Sequence, residues 1–273
     1  MTVQTRNNVR TRGNGPYTLV FAHGFGCDQN MWRLVEPAFA ERFRTVMFDL
    51  VGCGQSDLSA YDQEKYSTLH GYAQDIVEII DEIGQGPVIF IGHSVSAMAG
   101  VIADGLRPGQ ISAHVMVGPS PFYINDGNYV GGFSREDIDS LLETLESNYL
   151  GWSSSMAPAI MGSPDQPELG VELTNSFCQT DPEIAKRFAR VTFLSDCRED
   201  VAKLRTPTLI LQSSDDFIAP QEVGDYLARI IPQSELAIID NLGHCPHLSA
   251  PVPCIAAINE FIDGLADPLT DAR

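Results

Sequence analysis

Six short apolar runs mark out the chain: YTLVFA at 17–22, RTVMFD at 44–49, PVIFI at 87–91, SAHVMV at 112–117, PTLILQ at 207–212 and ELAII at 235–239. Their apolar positions run on rather than alternate. They are rich in β-branched and aromatic residues, and turn residues bound them. Strands buried on both faces of a parallel sheet read this way. Segments with helical spacing separate them, at 69–83 (LHGYAQDIVEIIDEI), 97–106, 220–230 and 251–265. Pro220 stands where the third of these begins, a position that does not need the missing N–H. Strand and helix in alternation predict an α/β fold: a mostly parallel central sheet with helices on both faces.

The alternation fails between 117 and 207. Residues 134–150, 166–177 and 181–194 carry helical spacing with no strand between them. Ser134 with Asp137, and Asp181 before Ile184, supply capping residues at two of the starts. Helices inserted at one end of an open α/β sheet are expected to cover its carboxyl edge, where such sheets bind ligands. The tail DPLTDAR, 267–273, reads as frayed.

Composition narrows the function classes. The 273 residues suit one domain with a large insertion or two small domains, and 44% hydrophobic content is enough to build a sizeable core. Lysine and arginine number 17 against 36 acidic residues, a net charge of −19. Such a surface repels nucleic acid and anionic lipid, so neither is expected as a partner. The first residues, MTVQTRNNVRTRGNG, hold no apolar core of a secretory signal, and no apolar run reaches membrane-spanning length. Six cysteines, at 27, 53, 178, 197, 245 and 254, form no C-x-x-C pair. They read as reduced thiols of a cytoplasmic protein rather than a zinc site.

The chemistry begins where PVIFI runs through Gly92 into His93, Ser94, Val95, Ser96 and Ala97 and then a helix. Strand, sharp turn and helix make a nucleophile elbow that lifts the Ser94 hydroxyl above the sheet edge. The Val95 N–H and the helix dipole then face the reacting centre. The usual G-x-S-x-G has Ser96 in its last place. The first strong strand ends in His23-Gly24-Phe25-Gly26, and the Phe25 N–H is positioned to pair with that of Val95 as an oxyanion hole. After the strand at 207–212 come Asp215 and Asp216. The D-x-x-x-P spacing to Pro220 favours Asp216 as the acid, with Asp215 as the alternative. After the last strand, Gly243 precedes His244, the expected base. Nucleophile, acid and base in the order Ser94, Asp216, His244 match the α/β-hydrolase arrangement.

Other residues draw blander readings. Cys245 beside His244 lacks a base of its own. His247 reads as packed, and His23 as a brace for the oxyanion loop. Asp49, before a glycine-rich turn without the Lys-Ser/Thr of a phosphate loop, reads as structural. The expected chemistry is acyl transfer through Ser94, and no metal or organic cofactor is implied.

Longer stretches go beyond these loops: AHGFGCDQNMW, GYAQDI, GHSVSAMAG, VGPSPFYIND, NYLGW, SDCRED, ILQSSDDFIAP and GHCPHLS. Across about 5–265 the chain resembles the RsbQ-type hydrolases and the related plant karrikin and strigolactone receptors. The resemblance implies a hydrolase core at 1–121 and 198–273 with a four-helix lid at 122–197. It implies an apolar pocket walled by Phe25, His93, Tyr123, Phe133, Trp152, Met156, Phe193, Phe217 and Ile218. It also implies two rival roles. One is hydrolysis of a small apolar ester or lactone. The other is ligand perception with slow turnover, in which a protein such as a stress-response phosphatase is bound.

Overall fold

The six apolar runs all become strands of one sheet. The computed structural model describes residues 1–83 and 85–265, so the tail at 267–273 lies outside the described residues. Seven strands pair among them in the order β1-β3-β2-β4-β5-β6-β7. They are β1 (Arg10–Arg12), β2 (Thr18–Ala22), β3 (Arg44–Phe48), β4 (Val88–His93), β5 (Ala113–Val117), β6 (Thr208–Asp215) and β7 (Ser234–Leu242). Only β1 runs antiparallel, with Arg10 opposite Met47. It is three exposed residues, RTR, and so carries no apolar signal. β6 and β7 outrun their apolar cores by several residues, through a register shift between Ser213 and Asp215 that pairs Asp215 with Leu242. That extension brings the loops after both strands to the same level above the sheet.

Period-2 alternation divides β2 between two cores. Val20 and Ala22 face the helices α2 (Leu69–Ile83), α3 (Val95–Leu106) and α9 (Gln221–Ile230), meeting Ile76, Met98 and Leu227 in one cluster. Leu19 and Phe21 face the other side, where Trp32, Phe39 and helix α11 (Pro251–Gly264) close a second cluster. Short helices α1 (Val3–Arg6), α8 (Arg198–Lys203) and α10 (Pro246–Ser249) complete the core region.

Between β5 and β6 come four helices: α4 (Arg135–Ser147), α5 (Tyr149–Met161), α6 (Pro167–Gln179) and α7 (Pro182–Leu194). They share a third apolar cluster with Cys27, Met31, Ile218 and Cys245 from the loops at the sheet edge. Ser134 and Asp137 form a capping box, and Asp181 caps two amides of α7. The segment at 134–150, expected as one helix, is broken at Asn148. Its φ of −149° and ψ of 77° leave the helical region, and its side chain caps α5 by accepting from the Gly151 N–H. α5 was hidden in the sequence by three consecutive serines and by the internal Pro158.

The end of α5 is fastened to the sheet edge. The Ile160 carbonyl accepts the His244 N–H at 2.8 Å. The next glycines touch: a Cβ on Gly162 would lie 2.7 Å from the Gly243 Cα, and both residues take positive φ. No helix among the described residues is long and apolar enough to cross a membrane.

Candidate active site

Ser94 occupies the turn between β4 and α3 with φ 55° and ψ −123°, a conformation that costs a non-glycine residue about 1–3 kcal/mol. The turn is this tight because α3 starts directly over β4. A Cβ on Gly92 would sit 2.7 Å from the Ala97 nitrogen, which demands glycine there. Ser96 fits in the last place of the motif because its buried hydroxyl donates to the His23 carbonyl at 2.5 Å, joining α3 to the loop after β2.

Three loops converge on Ser94. His244 Nε2 lies 2.8 Å from Ser94 Oγ, and His244 Nδ1 lies 2.6 Å from Asp216 Oδ2. Asp216 is fixed in turn, since its Oδ1 accepts the Ile218 and Ala219 N–H groups at 2.9 and 3.2 Å. All three side chains are buried. Asp215 points to solvent, and it is its backbone carbonyl that serves the site, by accepting the Gly243 N–H at 2.7 Å. A carboxylate on Nδ1 fixes the proton there and leaves Nε2 free to take one from the serine hydroxyl. Tyr123 adds a phenol 3.4 Å from Ser94 Oγ, with its pKa pushed up to about 12 by burial, so it stays protonated.

The amides of Phe25 and Val95 have no acceptor among the described residues. Val95 opens α3, where the first N–H groups of a helix lack intrahelical partners. The peptide joining Gly24 to Phe25 is held from behind. His23 Nδ1 bonds the Gly24 carbonyl at 2.8 Å, while His23 Nε2 accepts the Leu50 N–H at 3.0 Å. That arrangement needs a neutral imidazole, and burial lowers the His23 pKa accordingly. His93 donates from Nε2 to the His244 carbonyl at 3.0 Å, and the His247 ring packs, tilted, between those of His93 and Trp32. Burial pushes His93 well down and His247 down to about 3. Asp49 accepts from the Gln29 and Gln55 amides and from Asn8, which makes it a turn-builder. Among the described residues no group of three His, Cys, Asp or Glu side chains forms a metal cage.

The cavity over Ser94 measures about 30 Å³, room for roughly two water molecules. Of the residues expected in its wall, Phe25, His93, Tyr123, Phe193 and Ile218 line it. Trp152 stands one layer back, stacked on Phe177 at 5.6 Å and edge-on to Phe25 at 6.2 Å. Met156 packs half-buried on the same cluster without reaching the cavity. Phe133 and Phe217 need correction. They face each other at 6.5 Å outside the wall, and Phe217 is 42% exposed. The turn that bonds the Ile218 and Ala219 amides to Asp216 sends Ile218 inward and Phe217 outward. The wall also holds Cys27, Ile160, Leu173, Phe177, Thr192 and Cys245, which the sequence reading missed. Leu173 and Phe177 stand four apart on α6, a stripe that was legible. Cys27 and Cys245 adjoin the loops that hold Phe25 and His244, whereas Ile160 and Thr192 gave no signal.

Residues 19–257 match the alpha/beta hydrolase family. The chain belongs to that family. This α/β hydrolase is 38% identical over 250 residues to Karrikin insensitive 2 receptor CA of Petunia hybrida, across 91% of this chain and 93% of that receptor. It is 36% identical over 245 residues to Strigolactone esterase D14 of Arabidopsis thaliana, across 89% and 91% of the two chains. A solved hydrolase from Oleispira antarctica superposes on the α/β hydrolase with a TM-score of 0.93 at 44% identity, over 96% of each chain.

Proposed function

We propose that this α/β hydrolase cleaves small apolar esters or lactones through an acyl-enzyme on Ser94. The observation that carries the reading is the unbroken line from Ser94 Oγ through His244 to Asp216, at 2.8 and 2.6 Å. Ser94 Oγ attacks the substrate carbonyl carbon as its proton passes to His244 Nε2. The Phe25 and Val95 amides receive the oxyanion, each donor contributing about 3–4 kcal/mol to the barrier reduction. The C–O bond to the leaving group breaks as His244 returns the proton to it. Water, deprotonated by His244, then releases the acid and restores Ser94. Asp216 holds the imidazole tautomer and stabilises its protonated form.

An apolar wall with few polar groups supports an apolar substrate. Residues 122–197 then serve as a lid on a core of 1–121 and 198–273. A cavity of about 30 Å³ is smaller than an ester, so the wall has to yield, by rotation of its side chains or by movement of α4–α7, to admit one. The reduced state of six free cysteines suits a cytoplasmic setting.

Intact-protein mass spectrometry after exposure to p-nitrophenyl acetate and a simple butenolide tests this reading. An acyl adduct or modified histidine is expected, absent in Ser94→Ala. Full turnover by Ser94→Ala refutes the mechanism. A second reading, slow turnover in the service of signalling, draws support from the 38% identity to a plant receptor. Capture of a phosphatase by the ligand-exposed protein, with turnover too slow for metabolism, would favour it.

A further inference from the structure

One residue lining the cavity, Thr192, carries a hydroxyl with no hydrogen-bond partner among the described residues. The wall's other hydroxyl and imidazole donors are engaged or lie at the reacting centre. Ser94 meets His244, Tyr123 lies beside Ser94, and His93 donates to the His244 carbonyl. Thr192 on α7 is 2% exposed, and its Oγ1 is buried without a hydrogen-bond partner among the described residues. A threonine inside a helix has an easy remedy, since its hydroxyl can donate to the carbonyl four residues back. The same group of helices uses that remedy repeatedly: Thr144 bonds Ser140, Ser153 bonds Tyr149 and Thr174 bonds Gly170. Ser153, as buried as Thr192, is among them. Thr192 leaves the Phe188 carbonyl unused by its side chain. A buried hydroxyl without a partner destabilises the protein, and valine would fill the same space at no such cost.

We infer that Thr192 is a specificity residue whose hydroxyl takes a second oxygen of the substrate, so that the site selects esters or lactones carrying an ether or carbonyl acceptor besides the scissile group. The inference rests on the ester-hydrolase reading and refines its substrate class. A plain hydrocarbon acyl chain leaves the Thr192 hydroxyl unpaired in the closed complex. A chain with an oxygen at the right place pairs it. Discrimination of this kind exceeds what apolar contact alone provides, because the penalty falls on the substrate that lacks the partner.

The test compares p-nitrophenyl pentanoate with two ether analogues of equal length, the ethoxyacetate and the 3-methoxypropanoate. Alkoxy groups change intrinsic ester reactivity, so the measured quantity is the ratio of kcat/KM for each ether ester to that for pentanoate, compared between wild type, Thr192→Val and Thr192→Ser. For at least one ether ester the ratio is expected to fall about tenfold in Thr192→Val and to stay near wild type in Thr192→Ser. The melting temperature of Thr192→Val should equal or exceed that of the wild type, since no native bond is lost. Ratios unchanged within twofold for both ether esters overturn the assignment. So does a Thr192→Val protein that melts lower and loses all three activities alike, which would make the hydroxyl structural. If the wild type turns over none of the three esters, the hydrolase reading falls as well. If it turns them over with unmoved ratios, only the assignment of Thr192 falls.

Discussion

Replacing Asp216 by asparagine separates the two adjacent carboxylates by their geometry. Asp216 Oδ2 faces His244 Nδ1 at 2.6 Å, and its Oδ1 is occupied by the Ile218 and Ala219 amides. An asparagine that keeps its oxygen on those amides turns its NH2 toward Nδ1. The imidazole must then accept at Nδ1 and carry its proton on Nε2, facing Ser94, where it cannot act as base. Loss of the correct tautomer costs about 10⁴-fold in rate, or about 5.5 kcal/mol. The amide could instead flip and offer its oxygen to the imidazole. Its NH2 would then oppose two N–H donors, removing two buried bonds at about 1–3 kcal/mol each. Both routes are expensive, so no conformation of the substituted side chain restores the wild-type site. Asp215 is exposed and contributes through its backbone carbonyl, which asparagine retains. Steady-state hydrolysis of p-nitrophenyl acetate should therefore fall at least 10³-fold in Asp216→Asn and stay within about threefold of wild type in Asp215→Asn. Losses of equal size in the two variants, or an Asp216→Asn enzyme within tenfold of wild type, would refute the reasoning.

Two further outcomes follow from burial. His23, His93 and His247 have pKa values lowered by desolvation, the last to about 3. Below the ordinary value of 6.5 the unfolded chain binds protons that the native protein refuses, so stability falls as pH drops from about 6.5 toward 3. Each histidine that stays neutral in the native protein contributes a slope of up to about 1.4 kcal/mol per pH unit. Urea unfolding at pH 7, 6 and 5 should show the midpoint falling, and a midpoint constant over that range would contradict the assignment of three neutral histidines. Five cysteines are buried, with thiol pKa values raised by desolvation, while Cys178 is exposed. A disulfide reagent should titrate one thiol rapidly in the native protein and six after denaturation; two or more fast thiols in the native state would contradict the burial of the remainder.

The sequence made some features plain and hid others for physical reasons. Strands buried on both faces need unbroken apolar runs, so β2 to β7 announce themselves. β1 is an exposed edge of three residues held by backbone pairing, and backbone pairing leaves no trace in side-chain pattern. Ser94, Asp216 and His244 were legible because each follows a strand in a loop whose glycines and prolines mark the turn. The pocket was harder. Whether an aromatic points inward depends on one turn of backbone, and two amides bonded to Asp216 were enough to send Phe217 out and Ile218 in. Thr192 was invisible, because a single threonine in an amphipathic helix reads as helix surface until its surroundings are known.

The fastening of α5 to the histidine loop bears on how separable this enzyme is. The Ile160 carbonyl holds the His244 backbone, and Gly162 lies against Gly243. The inserted segment is therefore no detachable module. A core stripped of 122–197 would keep every residue of the Ser94–His244–Asp216 line and lose an anchor of the His244 loop. A chimaera that borrows another enzyme's insertion inherits the same requirement: a carbonyl where Ile160 stands and a glycine where Gly162 stands. The inner faces of the four helices are held as well, by the apolar cluster they share with Cys27, Met31, Ile218 and Cys245 and by the Ser176 hydroxyl that donates to the Gly26 carbonyl. Along their outer faces the insertion can vary with little consequence, but at one turn of backbone its history and that of the sheet are tied together.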